Sequence, residues 1–270
     1  MNIQVWVNEK GMEVDAESSV FLVRDAMKND ADIMILNGFP IQQDVLLQDK
    51  DRVILIKRGE IPCEEELESL MTARHTPGVH EKVKNAKVGI AGLGGLGSNI
   101  AIALARIGVG KLILVDFDIV EPSNLNRQQY FIKHIGMPKT EALKELLALI
   151  HPYIRVEIKT VYLDEDNIGA CFGDTDIVVE AFDNPKSKAC LVNTMLSTFP
   201  GRPIVAASGL AGYDSNNAIK TKKVMRNLYV TGDGVSEAAP GCGLMAPRVL
   251  IAAGHQANMV LRLILGEKEV

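Results

Sequence analysis

The stretch "GIAGLGGLGSN", residues 89–99, decides the fold. Six of its eleven residues are glycine or alanine. It follows "NAKVGI" and runs into "IAIALARIGVGKLILVD", so a strand leads into glycines and the glycines lead into a helix. Gly92, Gly94 and Gly97 satisfy G-x-G-x-x-G, a turn whose backbone can curl around a phosphate. Asp116 follows 24 positions after Gly92, at the end of the next strand, where a carboxylate can hold a ribose hydroxyl. A nicotinamide dinucleotide and ATP both use such a loop, and the glycines alone do not choose between them.

Working outward, the pattern on both sides is strand–helix alternation. "AKVGIAGL" is a strand and "GSNIAIALARIG" a helix ending at Gly108, followed by the strand "KLILVDFD". "PKTEALKELLALIHP" is a helix with Pro138 near its start and Pro152 past its end. The strands "RVEIKTVYL" and "TDIVVEAF", the helix "NPKSKACLVNTMLSTF" and the strand "RPIVAASGLAG" continue the series. This predicts a mostly parallel sheet with helices on both faces, a Rossmann-like α/β domain over residues 83–270. Residues 1–58 form a separate unit. "IQVWVN" and "GMEVD" alternate with period two around "NEKG", and "SSVFLVRDAMKN" is a helix capped by Ser18 or Ser19. "ADIMILNGFPI" and "DRVILIKRG" are two more strands. The order β-β-α-β-β is that of a small α+β ubiquitin-like β-grasp, richer in Asp and Glu than in Lys and Arg. Residues 59–82, with Pro62, an acidic helical stretch and the turn "TPG", read as a connector.

The residues after Asp116 narrow the chemistry. Asn124, Arg127, Gln128, Lys139 and Asp183 all fall where the alternation puts the C-terminal edge of one sheet, the ligand edge of such folds. Taken singly, Arg127 and Lys139 read more readily as ordinary surface charges than as ligands. Taken in this order with a carboxylate, they suit an enzyme that handles a triphosphate: cations neutralise the reacting phosphates and a carboxylate holds Mg²⁺.

The set "GLGGLGSN…LVDFDIVEPSNLNRQ…GMPKTEA…AFDN" resembles the ThiF/MoeB adenylating enzymes, relatives of the ubiquitin-activating enzymes, over about residues 70–270. That resemblance implies ATP-dependent adenylylation of the C-terminal glycine of a small β-grasp carrier, which then receives sulfur, in a homodimer; the scattered cysteines and the start of the sequence set a reduced, cytoplasmic protein as the expectation. It implies that Gly95 and its neighbours pack at the α-phosphate, that Asp116 binds ribose, and that Asn124, Arg127, Gln128 and Lys139 grip the phosphates. Asp183, paired with Asn184, would hold Mg²⁺. Arg74 in "TARHTPG" stands where the family has an arginine that reaches the neighbouring subunit's ATP, although the usual R-Y-x-R-Q is absent. Cys242 in "AAPGCGLMAPR" stands near a cysteine that bonds to the carrier during sulfur transfer; a small packing residue among glycines is the alternative. Cys63, Cys171 and Cys190 look structural or incidental.

Two departures matter. The paired C-x-x-C zinc ligands common in the family are missing, so no zinc is expected. Residues 1–58 resemble a ThiS sulfur carrier, yet the chain runs on through "IKRGEIPCEEE" with no free Gly-Gly end. The expected partner is therefore a separate ThiS-type carrier of thiamine thiazole synthesis. A MoaD-like carrier, an NAD-dependent oxidoreductase and a non-catalytic nucleotide-binding scaffold are the alternatives. Composition excludes other classes. The chain is 47% hydrophobic and 23% charged with net charge −5, and has no basic run of the kind that binds nucleic acid. The alternating start is unlike a signal peptide, and "VLIAAGHQANMVLRLIL" carries His255, Gln256, Asn258 and Arg262, which suits a buried amphipathic helix and not a membrane span. Four scattered cysteines without a C-x-x-C pair argue against a disulfide framework.

Overall fold

Alternation along the first strand puts Val5 and Val7 on one buried face, and the rest of the N-terminal unit assembles over them. The computed structural model describes residues 1–73 and 75–270, divided into two units, Met1–Pro77 and Gly78–Val270. In the first, β1 (Asn2–Val7) and β2 (Lys10–Asp15) pair antiparallel. Asn8 and Glu9 make the turn with positive φ of 46° and 65°, the sense that matches strand twist in a two-residue hairpin. Helix α1 (Val20–Met27) is capped by Ser19, whose hydroxyl accepts the Leu22 N–H at 3.3 Å. "ADIMILNGFPI" forms two strands where the sequence reads as one: β3 (Ile33–Leu36) and β4 (Phe39–Ile41) fold back at Asn37-Gly38, both at positive φ. β5 (Arg52–Ile56) runs parallel to β1 and antiparallel to β3, giving the sheet order β2-β1-β5-β3-β4. The unit also holds α2 (Glu64–Thr72). Asn8 Nδ2 donates to Glu66 Oε1 at 2.7 Å, and Lys28 Nζ lies 2.6 Å from Glu60 Oε2 and 3.8 Å from Glu66 Oε1. The chain leaving β5 is thus fastened back onto its own unit.

The second unit opens with α3 (Val79–Asn85) and β6 (Lys87–Ala91), the latter buried along nearly its whole length, as a central parallel strand must be. The series continues with α4 (Gly95–Arg106), β7 (Lys111–Val115), α5 (Lys139–Ile150), β8 (Arg155–Lys159), α6 (Ile168–Phe172), β9 (Ile177–Glu180), α7 (Pro185–Thr198) and β10 (Ile204–Ala207). A hairpin of β11 (Lys220–Met225) and β12 (Leu228–Gly232) and the long α8 (Ala246–Leu265) complete it. The sheet order is β11-β12-β10-β9-β6-β7-β8, parallel except for β11. Helices α4, α5 and α8 pack the larger core on one face; α6 and α7 pack a smaller one on the other. The sequence reading missed α6 and the β11–β12 hairpin. In β11 the residues Lys220, Lys222 and Lys223 stand exposed, so its period-two signal carries no apolar stripe. The apolar C-terminal segment is the amphipathic α8, with Gln256 fully buried, and no helix among the described residues is long and apolar enough to cross a membrane.

This strand order creates the site. From β6 the chain moves to β7 and β8 on one side, then returns to β9 on the other, so the loops leaving β6 and β9 diverge and a crevice opens at their C-terminal ends. Gly92 turns there at φ +86°. Gly97 lets α4 seat directly on that turn, since a Cβ at Gly97 would meet the Gly92 carbonyl oxygen at 1.9 Å. Gly97→Ala should therefore lower stability by about 3 kcal/mol or more, read from urea unfolding; a loss below about 1 kcal/mol would mean that α4 and the turn can separate freely.

Candidate active site

The glycine turn is tied to the neighbouring strand end by one carboxylate. Gly92 N–H donates to Val115 O at 2.9 Å. Asp116, 7% exposed, then accepts the Leu93 N–H on Oδ2 at 2.6 Å and the Asp118 N–H on Oδ1 at 2.8 Å. Burial pushes its carboxyl up from the ordinary range, against the pull of the Lys139 ammonium and those two amides. Each oxygen keeps a further lone pair for a ligand. No side chain caps α4, so the N–H groups of its first turn are left toward the crevice, a ready anion site.

The same first turn holds down the segment that carries the basic residues. Ser98 Oγ accepts the Gln129 N–H at 3.2 Å, and Asn99 Nδ2 donates to Arg127 O at 3.4 Å while its Oδ1 accepts from Gln129 Nε2. Tyr130, buried beneath, donates its hydroxyl to Leu93 O at 2.8 Å. These bonds lay Arg127 and Gln128 over Gly94 and Gly95. Arg127 Nη1 is bonded to Ser123 O and Asn126 Oδ1, but its Nε and the Gln128 Oε1 are buried with no hydrogen-bond partner among the described residues. Buried polar atoms left this way are uncommon and point to a ligand or water.

Lys139 is the first residue of α5. A cation is disfavoured at that end of a helix, and this one is only 7% exposed. It is placed by Lys139 N–H donating to Asp118 O at 2.9 Å, and its ammonium meets Asp118 Oδ2 at 2.7 Å. Across the crevice, Asp183 is exposed, with no hydrogen bond or ion pair among the described residues. Asn184 uses its side-chain oxygen to cap α7, accepting the N–H groups of Lys186 and Ser187. Behind them Lys188 pairs with the fully buried Glu180 at 2.9 Å; burial pushes that carboxyl up and the ammonium pulls it down. The remaining wall is the loop after β12, organised by Asp233, which accepts from Val235 N–H, Ser236 N–H, Ser236 Oγ and the buried Arg248 guanidinium.

A single cavity of about 650 Å³ is lined by Gly92, Gly94, Gly95, Asp116, Arg127, Gln128, Lys139, Asp183 and Asn184. The other expected site residues are elsewhere. Gly97 serves packing. Asn124 is buried in a short 3-10 turn (Pro122–Asn126), where its Oδ1 accepts the Glu121 N–H at 3.1 Å and positions the Arg127 segment from below. Cys242 does not line the cavity; it sits partly exposed in a tight turn with Ala239 and its Sγ faces Gly212. Arg74 lies outside the described residues. Among those residues no group of three or more His, Cys, Asp or Glu could hold a metal ion. The sequence reading overlooked Asp118, Glu180, Lys188 and the Asp233–Arg248 pair. Glu180 had a visible signal, an acid inside the apolar run "DIVVEAF"; the Asp233–Arg248 pair joins residues 15 apart with no local pattern to mark it.

With this geometry in hand, the comparisons are specific. The ThiF family model matches residues 68–270 and that of the ThiS-like ubiquitin family residues 3–59. The adenylyltransferase and sulfurtransferase UBA4 of Candida glabrata is 36% identical over 192 residues, covering 68% of this chain and 44% of its own length. The molybdopterin-synthase adenylyltransferase of Haemophilus influenzae is 43% identical over 105 residues, 38% of this chain and 43% of that protein. The chain thus spans less than half the length of these curated relatives. Among solved structures, the E. coli tRNA N6-threonylcarbamoyladenosine dehydratase in complex with ATP aligns with a TM-score of 0.66 at 21% identity, over 73% of this chain and 93% of that one, a likeness of fold. E. coli MccB with ATP aligns with a TM-score of 0.56 at 26% identity, over 71% and 59%.

The cavity wall also makes a pH prediction. Burial raises the Asp233 carboxyl, but the Ser236, Val235 and Arg248 donors outweigh it and hold the group well below the usual carboxylate range. A depressed folded value means the stabilisation is complete above the unfolded value of about 4 and is lost as pH falls toward the folded one. Asp233→Asn should cost about 1–3 kcal/mol at neutral pH, with the two urea-unfolding curves converging in acid. A cost that stays constant down to about pH 2 would exclude this linkage.

Proposed function

We propose that this chain, which belongs to the ThiF family, catalyses ATP-dependent adenylylation of the C-terminal carboxylate of a β-grasp sulfur carrier. The observation that carries the reading is the convergence of Asp116, Arg127, Gln128, Lys139 and Asp183 on one cavity at the uncapped end of α4. The residues fit a Mg²⁺-nucleotide: amides and unpartnered polar atoms face phosphate, and Asp116 keeps acceptor capacity for ribose. In the reaction a carrier carboxylate oxygen bonds to the α-phosphorus. The bond from that phosphorus to the bridging oxygen breaks, and pyrophosphate leaves with the electron pair. Arg127 and Lys139 offset the charge that builds on the phosphates, and Asp118 holds the Lys139 ammonium in place. Mg²⁺, taken by Asp183 together with phosphate oxygens, would supply further neutralisation at the leaving group.

The relatives' names support the sulfur-carrier class of substrate. Within it, a ThiS-type carrier of thiamine thiazole synthesis is our reading, and a MoaD-like carrier the second, favoured by the molybdopterin-synthase relative. We further assign a cytoplasmic homodimer in which Arg74 reaches the partner's nucleotide, and a covalent role for the Cys242 thiol after adenylylation. Zinc has no place in this scheme. The chain's own β-grasp unit is a degenerate carrier. Adenylylation needs a free carboxylate, whereas Gly59 continues by a peptide bond into Glu60, and Lys28 and Asn8 fasten the following acidic residues.

Purified protein with Mg²⁺-ATP should show ATP–pyrophosphate exchange that requires an added ThiS-type or MoaD-type carrier; the carrier giving the larger kcat/KM names the substrate. Arg127→Ala and Asp183→Ala should each lower exchange by roughly 10²–10³-fold, and near-normal exchange in both would refute the site. Mixing R74A with D183A subunits should restore part of the activity if the dimer is as assigned, while a fully active monomer would rule the dimer out. Cys242→Ser should leave exchange intact and reduce thiocarboxylate yield; an unchanged yield returns the residue to packing. After incubation with Mg²⁺-ATP alone, mass spectrometry should find residues 1–66 unmodified, and an AMP or thiocarboxylate adduct there would overturn the degenerate-carrier reading.

A further inference from the structure

Between β9 and β10 the ladder stops early. Val178 and Val179 pair with Ile204 and Val205 and no further, while β9 stays with β6 as far as Glu180 and β10 with β12 as far as Ala207. The sheet therefore forks at its C-terminal edge, and Ala181, Phe182, Asp183, Ala207 and Ser208 line the cavity at the mouth of that fork.

Backbone groups inside a fork lose their ladder partners and need others. One ion pair provides them. Glu180 Oε1 accepts the Phe182 N–H at 2.7 Å and Oε2 the Ala207 N–H at 3.3 Å. Lys188 Nζ donates to both Glu180 oxygens, at 2.9 and 3.1 Å, and to Ala207 O at 3.0 Å. From beneath, Gln256 Nε2 donates to Glu180 O at 3.1 Å and Val205 O at 3.2 Å, pinning the root of the fork. An ammonium has three N–H donors, and all three of Lys188 are directed at protein. Although it lines the cavity, it is a strut and not a cation offered to a ligand.

We infer that the Glu180–Lys188 pair is a positioning device for the reaction, setting the width of the fork and so the placement of Asp183 against the groups on the glycine-turn side. This rests on the adenylylation reading. Replacing the buried pair by neutral groups tests it without leaving one charge stranded. In Glu180→Gln/Lys188→Met the glutamine Oε1 can still accept the Phe182 N–H and no buried charge is stranded, so the fold should survive with the Ala207 N–H deprived of its carboxylate acceptor. The carrier-dependent exchange kcat should fall about 10- to 100-fold with the KM for ATP changed less than about threefold, the mark of misplaced groups and not of lost binding. Lys188→Arg should recover kcat to within about threefold of wild type, since it restores the cation and its donors. The Phe182 and Ala207 amides should exchange with deuterium faster in the double variant than in wild type, independent of turnover. If the double variant does not fold, Glu180→Gln/Lys188→Gln, which strands no charge and keeps a donor at position 188, is read by the same kinetics. A folded variant with wild-type kcat, or a loss that falls wholly on KM, overturns the inference and leaves the adenylylation reading standing. A wild-type protein with no exchange overturns both.

Discussion

The buried carboxylate of Asp116 is the interaction on which the rest of the second unit depends. Its two oxygens receive one amide from the glycine turn and one from the segment that turns toward α5. The end of β7, the start of α4 and the start of α5 are thereby held to a few atoms. Burying a charge is costly unless it is paired and hydrogen-bonded, and here the Lys139 ammonium, which is paired with Asp118, also draws on Asp116 from a helix end that disfavours a cation. Two unfavourable placements relieve one another. Such an arrangement is poor as a source of stability and good as a way to fix charge at a chosen point.

The same economy explains why the site is built from short-range bonds. Ser98 and Asn99, in the first turn of α4, reach across to Gln129 and to the Arg127 backbone. The guanidinium, itself bonded through Nη1 to Ser123 O and Asn126 Oδ1, is thereby carried to the crevice. Tyr130 closes the arrangement from below by bonding the Leu93 carbonyl, so the turn that faces the ligand is held on both its N–H and its C=O side.

How much of this was legible beforehand follows the range of each interaction. The Gly92–Gly97 spacing exposes its own cause, because backbone contact between turn and helix permits no side chain, and the alternating strands and helices follow from apolar periodicity. Asn124, expected among the phosphate ligands, has its Oδ1 engaged by the Glu121 N–H of a local 3-10 turn, a use of asparagine that the motif alone does not separate from ligand binding. The Asn37-Gly38 hairpin was hidden inside an apolar run that reads as a single strand, and local turn chemistry prevailed. The β11–β12 hairpin was missed for the opposite reason, since an edge strand with three exposed lysines lacks the apolar stripe that marks a half-buried one. Partners distant in sequence, such as Gln256 beneath Glu180, leave no pattern at all.

That lysine-rich edge has a consequence of its own. An open sheet ends in strands whose outer backbone groups are free to recruit another strand, and flat apolar edges invite aggregation. Here β11 turns antiparallel to β12, carries Lys220, Lys222 and Lys223, and breaks register between Lys223 and Met225. A second copy laid along it would bring ammonium groups together on a strand whose spacing is already irregular. The sheet is thereby kept finite at that margin, so the protein can hold a wide parallel platform for its crevice without growing into a fibre.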